Sequence, residues 1–126
     1  MSRDRGQRLQ HALARYLETW FPDCESNPNG RSGRDILGTP GIWFECKTAR
    51  LFRPLEWARQ ARRGALGCQC AQPKPCPLPV ADWPVVVWFP DGTGEAQAGA
   101  AMAIVPLDSL MEMLTEAGYT AQAPKD

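Results

Sequence analysis

Apolar and polar residues alternate along residues 42–47, and this is the clearest pattern in the chain. Period-two spacing places Ile42, Phe44 and Cys46 on one side of an extended strand and Trp43, Glu45 and Lys47 on the other. The first side suits a protein core, and the second carries an acid beside a base. The pattern therefore predicts a β-strand with one core-facing side and one chemically active side.

A Gly-Thr-Pro-Gly turn precedes this strand and predicts that residues 35–37 pair with it as an antiparallel hairpin. With a three-residue loop, Asp35 lies opposite Glu45 on the polar side. With a four-residue loop, Asp35 turns toward Phe44 and the core. We expect the three-residue loop.

Asp35, Glu45 and Lys47 together form a coherent set for phosphodiester hydrolysis. Two neighbouring carboxylates repel each other unless a cation lies between them. Ligation by oxygen alone suits Mg²⁺ or Mn²⁺ better than zinc. A nearby lysine can orient or activate a water, or offset the charge of a reacting phosphate.

Helical periodicity and apolar runs predict the remaining elements. Helices are expected over residues 4–20, from Pro54 to about Arg63, and after Pro106, where Ser109 and Glu112 form a capping box and Gly118 ends the helix. In the second helix, Leu55, Ala58 and Ala61 are expected to face inward.

The remaining strands complete a central sheet. The continuous apolar run at residues 85–89 predicts a central strand covered on both faces, residues 101–105 a second strand, and residues 23–26 a short edge strand. This order of elements predicts one α/β domain with a central mixed sheet of four to five strands flanked by helices. Residues 64–82 are expected to be a Cys/Pro-rich insertion, and residues 120–126 a frayed tail.

Charge is divided unevenly along a chain whose net charge is zero. Residues 1–63 hold twelve Lys and Arg against seven Asp and Glu, whereas residues 64–126 hold two against seven. Such asymmetry can mark one face that binds a polyanion. A single histidine, His11, excludes His-rich metal sites. Residues 1–126 contain no apolar run long enough to span a membrane. The Arg-rich N-terminus lacks the apolar stretch of a secretory signal, which favours the cytoplasm.

The spacing of Asp35 and Glu45-Cys46-Lys47, with nine residues between the acids, resembles the PD-(D/E)xK nuclease superfamily. The following helix, with Glu56, Trp57 and Gln60, is similar to that of small phage and archaeal Holliday-junction-resolvase-like enzymes. The resemblance covers residues 6–66.

This resemblance implies a restriction-endonuclease-like fold and a homodimer that cuts branched DNA in the cytoplasm, the host's if the protein is phage-encoded. Asp35, Glu45 and the Cys46 backbone carbonyl would hold the metal, Lys47 would position or activate the water, and Gln60 would support the site. Phosphate contacts are expected from seven arginines, whose alternative is a solvated surface. They are Arg31, Arg34, Arg50, Arg53, Arg59, Arg62 and Arg63.

One position departs from the resembled family. A glutamate four residues after a glycine in the first helix often helps to hold the metal there, but here Gly6 is followed at that spacing by Gln10. A neutral amide is a poorer cation ligand. Glu18 would substitute only if the end of the helix reaches the site.

Cys68, Cys70 and Cys76 allow a second kind of site. Three thiolates this close could bind structural zinc with Cys24 as a fourth ligand, although the spacing is not a common zinc pattern. Free thiols in a reducing cytoplasm are the alternative. Two rival functions remain open: a non-catalytic DNA- or protein-binding module on the same fold, which Gln10 suggests, and a zinc-stabilised interaction domain built on these cysteines.

Overall fold

A computed structural model describes residues 2–27, 34–66 and 82–121. The elements in chain order are α1 (Ser2–Leu17), β1 (Glu25–Ser26), β2 (Ile36–Leu37), β3 (Ile42–Lys47), α2 (Pro54–Leu66), β4 (Trp83–Trp88), a short 3₁₀ helix (Glu95–Ala100), β5 (Met102–Ile104) and α3 (Leu107–Glu116). The protein is therefore a mixed α/β fold. No helix in these ranges is long and apolar enough to cross a membrane.

A small mixed sheet forms the middle layer. Its strand order is β3-β4-β5, with β4 parallel to β3 and antiparallel to β5. The central position of β4 confirms the prediction from its apolar run, because Val85 and Val87 join one hydrophobic cluster while Val86 joins another on the opposite face. The run extends the core through Phe89, which is fully buried.

Helices cover both faces of this sheet. On one face, Leu9, Leu13 and Leu17 of α1 pack with Phe44. On the other, Trp57, Ala61 and Ala65 of α2 pack with Trp43. Successive side chains of a strand point to opposite faces, so the alternation read from residues 42–47 is confirmed. The polar face is nevertheless covered as well, since Trp43 and Glu45 are buried beneath α2.

The expected hairpin and the expected sheet size differ from the structure. β2 pairs with β1 in a separate two-stranded sheet, with Ser26 opposite Ile36, rather than with β3. The sheets thus contain three and two strands instead of one core of four to five. The pairing continues just beyond the two strands, where the Asp35 carbonyl accepts a hydrogen bond from the Asn27 N–H at 2.8 Å.

Gly38 turns the chain away from β2. Its φ of +80° is one that other residues rarely adopt, and a Cβ atom there would lie 2.6 Å from the carbonyl oxygen of Asp23. The chain therefore leaves β2 in tight contact with the segment before β1, and Ile42 begins β3 after a turn closed by its N–H on the Thr39 carbonyl at 3.1 Å.

The helices differ from their predicted details. In α2, Leu55 is exposed and the larger Trp57 occupies the inward position, so the predicted orientation of Leu55 is wrong. α3 begins at Leu107 after Pro106, which leaves Ser109 inside the helix and removes the expected capping box. Gly118 follows the helix with φ of +85°, as the predicted stop requires.

Candidate active site

The Asp35 side chain contacts strand β3. Its Oδ2 accepts a hydrogen bond of 2.6 Å from the Cys46 N–H. β3 is the edge strand of its sheet, and the Lys47 carbonyl accepts from the Phe89 N–H on the β4 side. Because backbone groups alternate along a strand, the N–H and carbonyl of Cys46 both point away from β4, toward Asp35. Asp35 therefore meets β3 at its open edge.

Glu45 lies beside Asp35 and is held from within its own strand. Its Oε1 accepts a hydrogen bond of 2.8 Å from Trp43 Nε1, two residues earlier on the same face. The charge of Asp35 raises the pKa of Glu45, so the two carboxyl groups are neighbours in the site. The predicted juxtaposition of the two acids is thus present, although a side-chain contact creates it rather than a hairpin.

Trp43 is packed between neighbours from two segments of the chain. Arg34 lies over its ring at 4.6 Å and forms an ion pair with the buried carboxylate of Asp82. On the α2 side, Gly64 approaches the ring so closely that a Cβ atom there would lie 2.4 Å from it. Arg34, which the sequence analysis assigned to DNA, therefore has a structural role within this site.

Lys47 and Gln60 form the second half of the site. Lys47 Nζ donates a hydrogen bond of 2.7 Å to Gln60 Oε1. Strand β3 supplies the lysine at its last position, and the second turn of α2 supplies the amide. Gln60 was expected near the site from the family resemblance alone. The structure brings it to Lys47 because Lys47 lies on the Glu45 face and α2 covers that face.

Burial controls the protonation of the two acids. It raises the pKa of Asp35, against the lowering effects of the Cys46 N–H and the Lys47 charge. It also raises the pKa of Glu45, where the Trp43 hydrogen bond lowers the pKa and the Asp35 charge raises it further. Each acid is therefore more costly to ionise than in water, and a nearby cation would offset that cost.

The donor atoms fit a hard divalent cation. Two carboxylates and the edge-facing Cys46 carbonyl are oxygen donors, and Mg²⁺ commonly takes one or two carboxylates and keeps several waters. Burial raises the pKa of the Cys46 thiol to about 12, so the thiol stays protonated and the carbonyl is the better donor. Within the described ranges, no group of three or more His, Cys, Asp or Glu side chains converges.

A surface cavity of about 620 Å³ opens at the end of β3. Among the described residues that line it, Lys47, Arg50 and Arg5 are cationic and Asp91 is acidic. Arg5 Nη1 donates a hydrogen bond of 2.8 Å to the Thr48 carbonyl, which brings the start of α1 to the site. Sequence reasoning missed Arg5, whose only signal was the Arg-rich start of the chain.

The other arginines assigned to DNA occupy different environments. Exposed ion pairs join Arg50 to Asp91 at 2.9 Å, Arg53 to Glu56 at 3.4 Å and Arg62 to Asp108 at 2.9 Å. Arg59 and Arg63 are exposed on α2 and have no ion pair with any described residue. Arg31 and the cysteines Cys68, Cys70 and Cys76 lie outside the described residues.

Gln10 and Cys24 hold the fold together. The Gln10 amide nitrogen donates to Ser26 Oγ at 2.8 Å and to the carbonyls of Asn27 and Asp35 at 3.2 and 3.0 Å. The buried Cys24 thiol donates to the Ala14 carbonyl at 3.1 Å. Gln10 thus anchors the backbone that carries Asp35.

Comparison with family models, with curated proteins and with solved structures finds no match to this chain.

Proposed function

We propose that this protein is a divalent-metal-dependent DNA endonuclease that hydrolyses phosphodiester bonds in branched DNA. The observation that carries the proposal is the convergence of Asp35 and Glu45 beside the hydrogen-bonded pair of Lys47 and Gln60. The resemblance of these residues to the PD-(D/E)xK nucleases points in the same direction.

Each residue of the site has a distinct task in this proposal. Asp35, Glu45 and the Cys46 carbonyl hold Mg²⁺ or Mn²⁺, which supplies Lewis-acid stabilisation and a water of lowered pKa when bound. Lys47 positions the attacking water or offsets charge on the phosphate. Gln60 accepts a hydrogen bond from Lys47 and thereby limits where the ammonium group can lie.

Charge around the site suits a polyanion. Arg5, Arg50 and Lys47 line the cavity at the end of β3. Arg59 and Arg63 are exposed one turn apart on α2, and Gln60 lies one turn before Arg63. Phosphates would therefore meet positive side chains from α1, β3 and α2, and a homodimer would supply the two active sites that a four-way junction requires.

Cleavage of a labelled four-way junction and of a matched linear duplex tests this function. Each substrate is incubated with Mg²⁺, Mn²⁺ or EDTA. Wild-type protein is expected to cut the junction only when metal is present. Glu45→Gln keeps an acceptor for Trp43 but loses the charge, and Lys47→Ala loses the ammonium group. Both changes are expected to lower the cleavage rate by about 10²- to 10³-fold.

Arg15→Ala is the matched control, because it removes one exposed positive charge from α1. Its cleavage rate is expected to stay near that of the wild type. Cutting at the wild-type rate in EDTA, or by Lys47→Ala, would refute the proposed chemistry. Equal cutting of junction and duplex would keep the nuclease and remove the preference for branched DNA.

A non-catalytic DNA-binding module on the same fold is the second candidate. The observation that favours it is the burial of Glu45, which is only 3% exposed, together with the structural use of Gln10 where a metal-holding glutamate is expected. Such a module would bind DNA equally well in Mg²⁺ and in EDTA and would show no metal-dependent turnover.

A further inference from the structure

Three large apolar side chains are exposed between the end of β3 and the first turn of α2. Leu51 is 67% exposed, Phe52 is 52% exposed and Leu55 is 63% exposed. Single exposed apolar residues are common, but neighbouring ones that border a polar site mark an interaction surface.

Phe52 belongs to an aromatic cluster that also contains Trp57 and Trp88. Its ring lies 4.5 Å from Trp88 with a 30° angle between the planes, and 5.8 Å from Trp57 in an edge-on arrangement. Trp57 is buried, and Trp88 Nε1 donates a hydrogen bond of 3.0 Å to the Ala49 carbonyl. The inner neighbours of Phe52 are therefore held in place, while its own ring remains half exposed.

The cluster lies next to the candidate active site. Trp88 is the partner of Lys47 in the parallel pairing of β3 with β4. Partner residues on adjacent strands point to the same face and lie about 5 Å apart. Trp88 thus lies roughly one strand spacing from Lys47, on the side of the sheet that α2 covers, and Phe52 packs against Trp88.

Arginines adjoin this apolar surface along the chain. Arg50 and Arg53 flank Leu51 and Phe52 in sequence, and Arg59 follows on α2. The ion pairs of Arg50 and Arg53 are exposed and therefore weak, so a phosphate can replace their acidic partners. Aromatic faces set among cations are the combination that binds unpaired nucleic-acid strands, because bases stack while phosphates pair with the cations.

We propose that the exposed ring of Phe52 stacks against an unpaired base of a DNA strand whose phosphate lies at Lys47, with Leu51 and Leu55 packing beside that base. This inference rests on the proposed function and deepens it. The substrate class becomes DNA that presents unstacked bases at a branch or a bulge. A second copy of the chain fits this surface less well, because its own cations around Phe52 would repel those of the first.

The test measures binding rather than cleavage, in EDTA. The probes are two labelled DNA molecules of equal length, one fully paired and one with a bulge that contains 2-aminopurine. The variants are Phe52→Ala, Phe52→Leu and Phe52→Trp. Trp20→Ala is the matched control, since Trp20 is a 59% exposed ring that packs against Tyr16 outside this surface.

Stacking predicts that Phe52→Ala weakens binding to the bulged probe by about 5- to 150-fold and leaves binding to the paired probe unchanged. Phe52→Leu keeps apolar bulk but has no aromatic face, so it is expected to lose affinity as well. Phe52→Trp and Trp20→Ala are expected to bind like the wild type, and 2-aminopurine fluorescence is expected to change only with an aromatic residue at position 52.

Two outcomes would overturn the inference. One is wild-type binding of the bulged probe by Phe52→Ala or Phe52→Leu. The other is an equal loss on both probes together with dissociation of a dimer in sedimentation, which would make the surface a subunit contact. Because this test measures binding and not cleavage, a failure of the proposed nuclease activity, such as the absence of metal-dependent cutting by the wild-type protein, is recognised separately.

Discussion

Trp43 Nε1 donates a hydrogen bond of 2.8 Å to Glu45 Oε1, and both side chains lie buried on the same face of β3. The strand thus supplies its own donor to the acid that the proposed chemistry needs. This bond lowers the pKa of Glu45 against the raising effect of burial, so the ionisation of the acid depends on the position of the indole.

Trp43→Phe should therefore raise the pKa of Glu45 further. The loss of a hydrogen bond to a charged group should also cost about 1.5–3 kcal/mol of folding free energy. Carboxyl NMR titration measures the first effect and urea unfolding the second. Trp20→Phe, at an exposed position, should change neither, and an unshifted Glu45 titration in Trp43→Phe would contradict the role given to the indole.

Gly64→Ala should destabilise the protein although alanine favours helices over glycine by about 1 kcal/mol. The added methyl group would meet the Trp43 ring at 2.4 Å, and overpacking of this kind costs about 1–3 kcal/mol. Gly6→Ala is the matched control in α1, because its methyl group would meet only Thr48 Oγ1 at 3.7 Å. Urea unfolding should show opposite signs for the two substitutions.

Gln10→Glu tests whether a carboxylate at position 10 can take part in metal binding. A carboxylate would face the carbonyls of Asn27 and Asp35 without a proton to donate, so the free energy of unfolding should fall by about 1–3 kcal/mol. Gln7→Glu, at an exposed position of the same helix, should have little effect. A Gln10→Glu protein with unchanged stability and stronger Mg²⁺ binding would show that position 10 still serves the metal.

The metal-free protein should lose stability as pH rises. Burial raises the pKa of Asp35 and of Glu45 in the folded state, so folding favours their protonated forms. Their contribution is fully present below the ordinary carboxyl pKa of about 4 and is lost as pH rises through the folded values. Thermal unfolding in EDTA measures this decline, which Asp35→Asn with Glu45→Gln should flatten.

Mg²⁺ should offset that decline above the folded pKa values, because a ligand that binds only the folded state stabilises it. Thermal unfolding at increasing Mg²⁺ concentration measures the effect at neutral pH. The double variant of Asp35→Asn and Glu45→Gln lacks both carboxylates and should show no increase. An equal increase in that variant would place the cation elsewhere.

The sequence by itself determined the strand at residues 42–47, the central position of β4 and the presence of the helix that follows β3. These follow from local rules: period-two alternation separates the faces of a strand, an apolar run requires cover on both faces, and a helix after the strand packs on the face beside it. The helical spacing of apolar residues likewise predicted the three helices, because that spacing is also a local property of the chain.

Only the tertiary structure decided how Asp35 reaches Glu45. A strand can pair with any of several distant segments. Here the Asp35 carbonyl accepts hydrogen bonds from Asn27 and Gln10, and β2 pairs with β1. The Asp35 side chain therefore contacts the edge of β3. The inward turn of Trp57 and the use of Arg34 to hold Trp43 have the same origin. Each depends on which distant surfaces pack together, and local patterns do not encode that.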